Sequence, residues 1–163
     1  MELDVMLCDH AQVVGNKLFI SGANIDRMAL PPGTQPPYVV NFAAAGIVRI
    51  PWTATNVEHV LGFQFVTEDG QTPQLAVGAE VGPDGIAGEM RFNVGRPPQL
   101  ASGQQQMVPF AFNFQGLPLA APGRFVITFS LDATEARRLS WTVVVEPSPG
   151  FRGPGVIPPL PLA

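Results

Sequence analysis

Hydrophobic and polar residues alternate with a period of two in three segments of the chain. These segments are VPFAFNF (Val108–Phe114), RFVITFSLD (Arg124–Asp132) and LSWTVVV (Leu139–Val145). Such alternation is typical of antiparallel strands that turn one face toward a core. Weaker runs of the same kind occupy Leu3–Ala11, Lys17–Ile25, Tyr38–Ile50, Val57–Thr67, Leu75–Val81 and Ile86–Val94.

Turn signals rich in glycine and proline separate these runs. They are Gly15–Asn16, Pro31–Pro37, Asp69–Gly70, Gly82–Gly85 and Ala121–Gly123. With 18 Pro and 17 Gly, the chain leaves little room for helices; Ala133–Arg138 fits either a helical turn or a hairpin loop. We therefore predict an all-β fold, an antiparallel β-sandwich (Ig-like or a related Greek-key arrangement) of about eight or nine strands.

The chain of 163 residues has the length of one domain, and its composition changes after Glu146. We predict a sandwich domain over residues 1–146 and an extended Pro/Gly-rich tail over residues 147–163, which contains six Pro and three Gly. The tail has four aliphatic side chains that suit docking in an apolar groove, either of this domain or of another chain. These residues are Val156, Ile157, Leu160 and Leu162.

The alternating faces also predict the core. We expect it to contain Leu7, Leu18, Ile20, Phe63, Phe65, Phe92, Phe110, Phe112, Phe125, Ile127, Phe129, Trp141 and Val143. The segment from Val39 to Val48 is apolar on both faces, which indicates a central strand covered by the second sheet on one side and by a partner on the other.

Composition and charge exclude several classes of protein. Nine basic and thirteen acidic residues give a net charge of −4, without the basic patch of a nucleic-acid binder. The opening MELDVML has no basic n-region, and the apolar runs are far shorter than the roughly 18 residues that span a bilayer. We therefore expect a cytoplasmic protein that binds neither nucleic acid nor membrane. Its single cysteine excludes an intrachain disulfide.

Cys8, Asp9 and His10 form the one local cluster of chemically active residues. If Gly15–Asn16 is a two-residue hairpin turn, strand partners are residues whose numbers sum to 31. Asp9 then lies on the Leu7 face opposite Gly22, whereas Cys8 and His10 share the other face at a separation of about 7 Å along the strand. A nucleophile and its base must be within about 3.2 Å, and a metal site needs three or more ligands. We therefore predict no catalytic residue, metal or cofactor here.

Three residues outside this cluster remain candidates for a site at one end of the sandwich. Trp52 either caps the core or is an exposed interface anchor, and typical Trp burial favours the cap. Arg96, before two prolines, is either a contact residue or a solvated loop residue, and loop chemistry favours the latter. His59 falls on an apolar strand face with Leu61 and Phe63.

Two functional hypotheses follow. The first is a non-enzymatic interaction or assembly module that binds itself or another protein, with a homo-oligomer expected, because so few charged residues leave apolar surface exposed. The alternative is a small-ligand-binding or hydrolytic site near Trp52, His59 and Arg96. A deep pocket holding His59 beside an acid would favour the alternative, and a flat apolar outer face would favour the first.

Several segments together resemble a family of small uncharacterised bacterial proteins. They are LCDHAQVVGNKLFISGANIDRM, IPWTATN followed by Glu58–His59, VTEDG, VGRPPQL, LPLAAPGRFVITFSLD and SWTVVV, which cover most of residues 1–146. The resemblance implies an all-β sandwich and assigns no catalytic residue to any position. The Pro-rich tail lies outside it.

Replacing Cys8 by Ser and His10 by Gln should leave folding intact and remove no tightly bound metal, because the hairpin keeps these side chains apart. Elemental analysis of the purified protein and of both variants checks this. Stoichiometric zinc in the wild-type protein, lost in either variant, would contradict it.

Overall fold

A computed structural model describes residues 1–76 and 85–147, and these residues form two packed β-sheets. The strands are β1 (Glu2–Val14), β2 (Lys17–Ala23), β3 (Arg27–Leu30), β4 (Tyr38–Pro51), β5 (Glu58–Thr67), β6 (Ile86–Asn93), β7 (Gln105–Leu119), β8 (Gly123–Leu131) and β9 (Thr134–Val145). A single 3₁₀ turn, η1 (Trp52–Ala54), follows β4. The predicted all-β sandwich is confirmed.

The four-stranded sheet has the order β2-β1-β4-β7, and the five-stranded sheet has the order β3-β9-β8-β5-β6. Six of the seven strand pairings are antiparallel. The exception is β3, which runs parallel to β9. The sequence pattern did not predict β3, which begins only four residues after β2 ends, with no Pro or Gly between them.

The register of the N-terminal hairpin follows the predicted rule. The recorded pairs run from Cys8 opposite Ala23 to Val14 opposite Lys17. Gly15 and Asn16 both have positive φ angles, 56° and 59°, as the tight turn at the hairpin tip requires.

The assignment of faces in β1 is partly wrong. Alternation from Leu7 puts Val13 on the core face and Cys8 on the opposite face, yet Val13 is exposed and Cys8 is fully buried. Cys8 and Ala11 pack in one cluster although they are three residues apart, so the strand does not keep strict alternation between them. Gly22, opposite Asp9, has a φ of 62°, and this irregularity of the hairpin lies between Cys8 and Ala11 in the register.

The outer face of β4 is covered by the chain itself. Ala43 and Ala45 are fully buried in the cluster that holds Cys8 and Ala11, and Leu18 and Ile20 of β2 pack against it. The Asn113 side chain of β7 joins this arrangement, since its Nδ2 donates to the Ala11 carbonyl at 2.9 Å and its Oδ1 accepts from the Ala11 amide at 3.3 Å. The prediction that a partner covers this part of β4 is therefore wrong.

Aromatic side chains dominate the core between the sheets. The Trp141 ring centroid lies 4.7 Å from that of Phe42, 5.4 Å from that of Phe125 and 5.9 Å from that of Phe65. Of the predicted core residues, Leu18, Ile20, Phe63, Phe92 and Phe112 are only partly buried, and the other eight are buried. The core prediction is confirmed. The predicted residues that are only partly buried lie next to the sheet edges and on the hairpin.

Ala133–Arg138 contains no helical turn. Asp132 and Ala133, with φ angles of 49° and 64°, form a two-residue turn, and β9 begins directly at Thr134. Most of the predicted Leu75–Val81 strand lies outside the described residues, as does the tail from residue 148 with Val156, Ile157, Leu160 and Leu162. No helix of the described parts of the chain is both long and apolar enough to cross a membrane.

Replacing Phe129 by Ala should lower the free energy of unfolding by about 3–5 kcal/mol, because its fully buried ring would leave a cavity between the sheets. Chemical denaturation measures the change. Phe19→Ala is the matched control, since Phe19 is 50% exposed and its loss should cost far less. Similar values for the two variants would show that the faces of β8 are inverted.

Candidate functional site

Three connections meet at one end of the sandwich, which we call the Trp52 end. They are η1 with the residues up to β5, the loop of residues 94–104 between β6 and β7, and the Asp132–Ala133 turn between β8 and β9. Antiparallel pairing brings them together, because the end of β4 lies beside the start of β7 and the start of β5 lies beside both the end of β6 and the end of β8. All three sequence candidates, Trp52, His59 and Arg96, lie at this end.

The Arg96 guanidinium stacks on the Trp52 ring. Its central carbon lies 3.7 Å from the ring centroid, within the range of a cation–π interaction. Nε donates to Thr55 Oγ1 at 2.8 Å, and Nη2 donates to the Trp52 carbonyl at 3.0 Å. The stack and the two hydrogen bonds fix the plane of the guanidinium on the ring.

The backbone around this stack is also held. Asn56 has a φ of 62°. Its Oδ1 accepts a hydrogen bond from the Arg96 backbone amide at 3.0 Å, and its backbone amide donates to the Val94 carbonyl at 2.8 Å. The Thr55 hydroxyl donates to the Trp52 carbonyl at 2.8 Å. These bonds tie the η1 segment to the β6–β7 loop. The Trp52–Arg96 pair is therefore built on a connected polar network.

This geometry changes two interpretations that the sequence favoured. Trp52 is only half-buried and lies outside the core cluster, so it does not cap the core. Arg96 is exposed, yet its side chain is held by specific partners rather than merely solvated.

His59 is buried beneath this end, with 4% of its surface exposed. Its Nδ1 lies 2.8 Å from Asp132 Oδ2, and its Nε2 lies 2.7 Å from the Ala54 carbonyl oxygen. Both partners are acceptors, so the ring can donate to both only when both nitrogens carry a hydrogen. In that protonated form, His59 and Asp132 are an ion pair.

The surroundings of Asp132 favour its ionised form. Its Oδ1 accepts the Val60 amide at 2.9 Å, which is the main cause that lowers the pKa of the Asp132 carboxyl. Burial, the largest single influence on His59, acts to lower its pKa. The hydrogen bonds to Ala54 and Asp132 and the charge of Asp132 outweigh burial, so the pKa of His59 is raised.

A groove of about 930 Å³ lies on the outer face of the five-stranded sheet next to this end. Gly62 and Ser130 lie side by side in its lining, and Asp132 and Ala133 also line it. His59 is not among the lining residues. An acid, Asp132, does lie beside His59, but among the described residues no deep pocket holds the two together.

The comparisons with known proteins bear on how this end can be interpreted. The sequence profile of a family of unknown function, DUF6941, matches residues 3–144. The chain belongs to this family. No curated protein and no solved structure gives a significant match. Membership in DUF6941 brings no assigned chemistry with it, so the function has to be argued from the geometry of this domain.

In this DUF6941 domain, Cys8 and His10 do not converge. The Cys8 thiol is fully buried and donates to the Ala43 carbonyl at 3.7 Å, and burial raises its pKa, whereas His10 is exposed. Within residues 1–76 and 85–147, no three His, Cys, Asp or Glu side chains lie close enough together to hold a metal ion.

Sequence reasoning missed three residues of the Trp52 end: Thr55, Asn56 and Asp132. Asn56 carried a local signal, since Asn after Thr in a short connection favours a left-handed turn residue. Asp132 carried none that pointed to His59, because 73 residues separate the two in the chain.

The His59–Asp132 pair should make stability depend on pH. Because the pKa of His59 is raised in the folded state, its contribution to stability is complete below about pH 6.5, its ordinary pKa. That contribution is lost as pH rises through the higher pKa of the folded state. Because the pKa of Asp132 is lowered, its contribution holds above about pH 4 and is lost as pH falls through its folded value. The stability difference between wild type and His59→Gln should therefore be largest between about pH 4 and 6.5.

Urea denaturation of both proteins at pH 5.5 and at higher pH, at about one-unit intervals, measures this difference. His10→Gln, which changes the other histidine, is the control and should show no such trend. A difference between wild type and His59→Gln that stays constant or grows above neutral pH would contradict the ion pair.

Proposed function

We propose that this DUF6941 domain is a non-enzymatic protein-interaction module that binds through its Trp52 end, with a second copy of the chain as its first partner. The observation that carries the proposal is the stack of Arg96 on Trp52. Trp and Arg are enriched among the few residues that supply most of the binding energy of protein interfaces. Here the two side chains form one continuous surface.

The surface is also fixed before any partner binds. The Arg96 side chain has two hydrogen-bonded nitrogens and an aromatic ring beneath it. Ordering a flexible side chain at an interface costs about 0.5–1.5 kcal/mol, and a pre-arranged side chain avoids most of that cost. A partner therefore meets an Arg–Trp surface that needs little further ordering.

Exposed apolar side chains also lie in the elements next to this end of the sandwich. Val57, between η1 and β5, is 52% exposed, and Met107, near the start of β7 and opposite Arg49, is 55% exposed. Met1 precedes Glu2, which pairs with Arg49 in the same part of the sheet. Aromatic residues, Met and Arg are enriched in the middle of interfaces, so these exposed residues support the proposal.

Self-association is the form we propose, because closed two-fold dimers are the commonest assemblies of soluble proteins and use one surface on both copies. The Trp52 end suits such use, since its Arg96–Trp52 stack presents both a charged and an aromatic group to a second copy.

The state of His59 supports an interaction module over a hydrolase. A general base needs a free lone pair within reach of its substrate. Both ring nitrogens of His59 are bonded to acceptors, and the ring is buried. The groove beside Asp132 has room for a small ligand, and titration with candidate molecules tests whether it binds one.

Arg96→Ala and Trp52→Ala should each weaken self-association by about 30-fold or more, because truncating a hot-spot residue costs about 2 kcal/mol or more. Light scattering after size-exclusion chromatography over a range of protein concentrations measures the change. Phe19→Ala is the matched control, since Phe19 is an exposed aromatic on the hairpin, away from the Trp52 end.

Native pull-down of the tagged protein with mass spectrometry separates a second copy from another protein. Recovery of the same chain, lost in Arg96→Ala, supports the proposal as stated. A monomer at every concentration, or association that Phe19→Ala weakens while Arg96→Ala does not, would overturn it.

A further inference from the structure

His59 links the interior of the sandwich to the Trp52–Arg96 surface. Its Nδ1 binds the Asp132 turn, and its Nε2 binds the carbonyl of Ala54, the last residue of η1. Ala54 is followed by Thr55, whose hydroxyl binds both Arg96 and the Trp52 carbonyl. One buried ring therefore anchors the short segment that carries the exposed surface.

The number of protons on this ring decides how many anchors it can make. The imidazolium donates two hydrogen bonds, whereas neutral imidazole donates only one. When the proton is lost, the remaining hydrogen stays on Nδ1, because the Asp132 carboxylate is a charged and therefore stronger acceptor than a peptide carbonyl. The lone pair of Nε2 then faces the Ala54 oxygen across 2.7 Å, and the two repel each other.

We propose that His59 is a proton-controlled latch, whose imidazolium holds η1 in place and whose neutral form releases Trp52–Ala54 and the surface built on it. The consequence for binding rests on the proposed function, because the latch acts on the surface assigned to the partner. Association through the Trp52 end then strengthens on the acidic side of the His59 titration and weakens on the alkaline side.

Few other charges act on this ring. Asp132, from the β8–β9 turn, is its direct ionic partner, and the amino group of Met1 opposes protonation at longer range. Glu58, the neighbour of His59 in β5, forms an ion pair with Arg91 at 3.4 Å instead. From β6, the uncharged Phe92 ring packs at 5.7 Å, and Arg96 reaches η1 through Thr55.

The chain holds only two tryptophans, Trp52 and Trp141, so each can report separately when the protein is labelled with 5-fluorotryptophan. Fluorine NMR of the full chain, with Trp52→Phe used for assignment, follows both signals across pH 5 to about 9, a range that brackets the ordinary His pKa of about 6.5. The His59 ring is titrated in the same wild-type sample by its own ¹⁵N signals.

We expect the Trp52 signal to shift with the midpoint of the His59 titration, while the signal of the buried Trp141 stays in place. His59→Gln should abolish the Trp52 shift, and His10→Gln should leave it unchanged. A Trp52 signal that does not move with pH, or moves with a midpoint other than that of His59, overturns the latch. The wild-type comparison decides this even if His59→Gln does not fold.

The protein is kept at a concentration where light scattering shows a monomer, so the latch is tested apart from binding. If Trp52 follows His59 but Arg96→Ala associates normally, the latch stands and the proposed function fails. If Arg96→Ala abolishes association but Trp52 ignores pH, the proposed function stands and the latch fails.

Discussion

The burial of β4 on both faces is the constraint on which the rest of this structure depends. One face packs Phe42 and Ile50 into the core between the sheets, and the other places Ala43 and Ala45 beneath the N-terminal hairpin. The strand allows close approach because its side chains are small. At Gly46, a Cβ atom would overlap the backbone of Asp4 in β1, so only glycine fits there. The chain thereby covers this part of the sheet with its own N-terminal hairpin.

Much of the fold could be predicted from the sequence because period-two alternation and turn residues are local signals. The hairpin register followed from Gly15–Asn16 alone. The burial of the residues beyond Cys8 could not be predicted in the same way. Gly22 adopts a positive φ, and the Asp9 carboxylate occupies the space that a Cβ atom at Gly22 would need. The pairing numbers are correct, yet Cys8 and Ala11, three residues apart, pack in one cluster.

The candidate site was predictable only in part. Trp52, His59 and Arg96 stood out by residue type, and their convergence follows from the order of the strands. The contacts that decide their roles come from distant positions, since Asp132 reaches His59 across 73 residues and Thr55 meets Arg96 across 41. No local pattern encodes such pairs. They exist because β5 lies between β6 and β8, which brings the ends of these strands together.

The parallel pairing of β3 with β9 has a consequence for how the chain folds during its synthesis. Arg27–Leu30 is made early, but its partner Thr142–Val145 is added more than a hundred residues later. Until β9 has left the ribosome, β3 has no sheet to join, and the rings of Phe42, Phe65 and Phe125 lack Trp141, the ring they all contact. Contacts this distant in sequence form slowly. Before β9 is made, the aromatic core is therefore incomplete, and transiently exposed apolar surface of this kind is prone to aggregation.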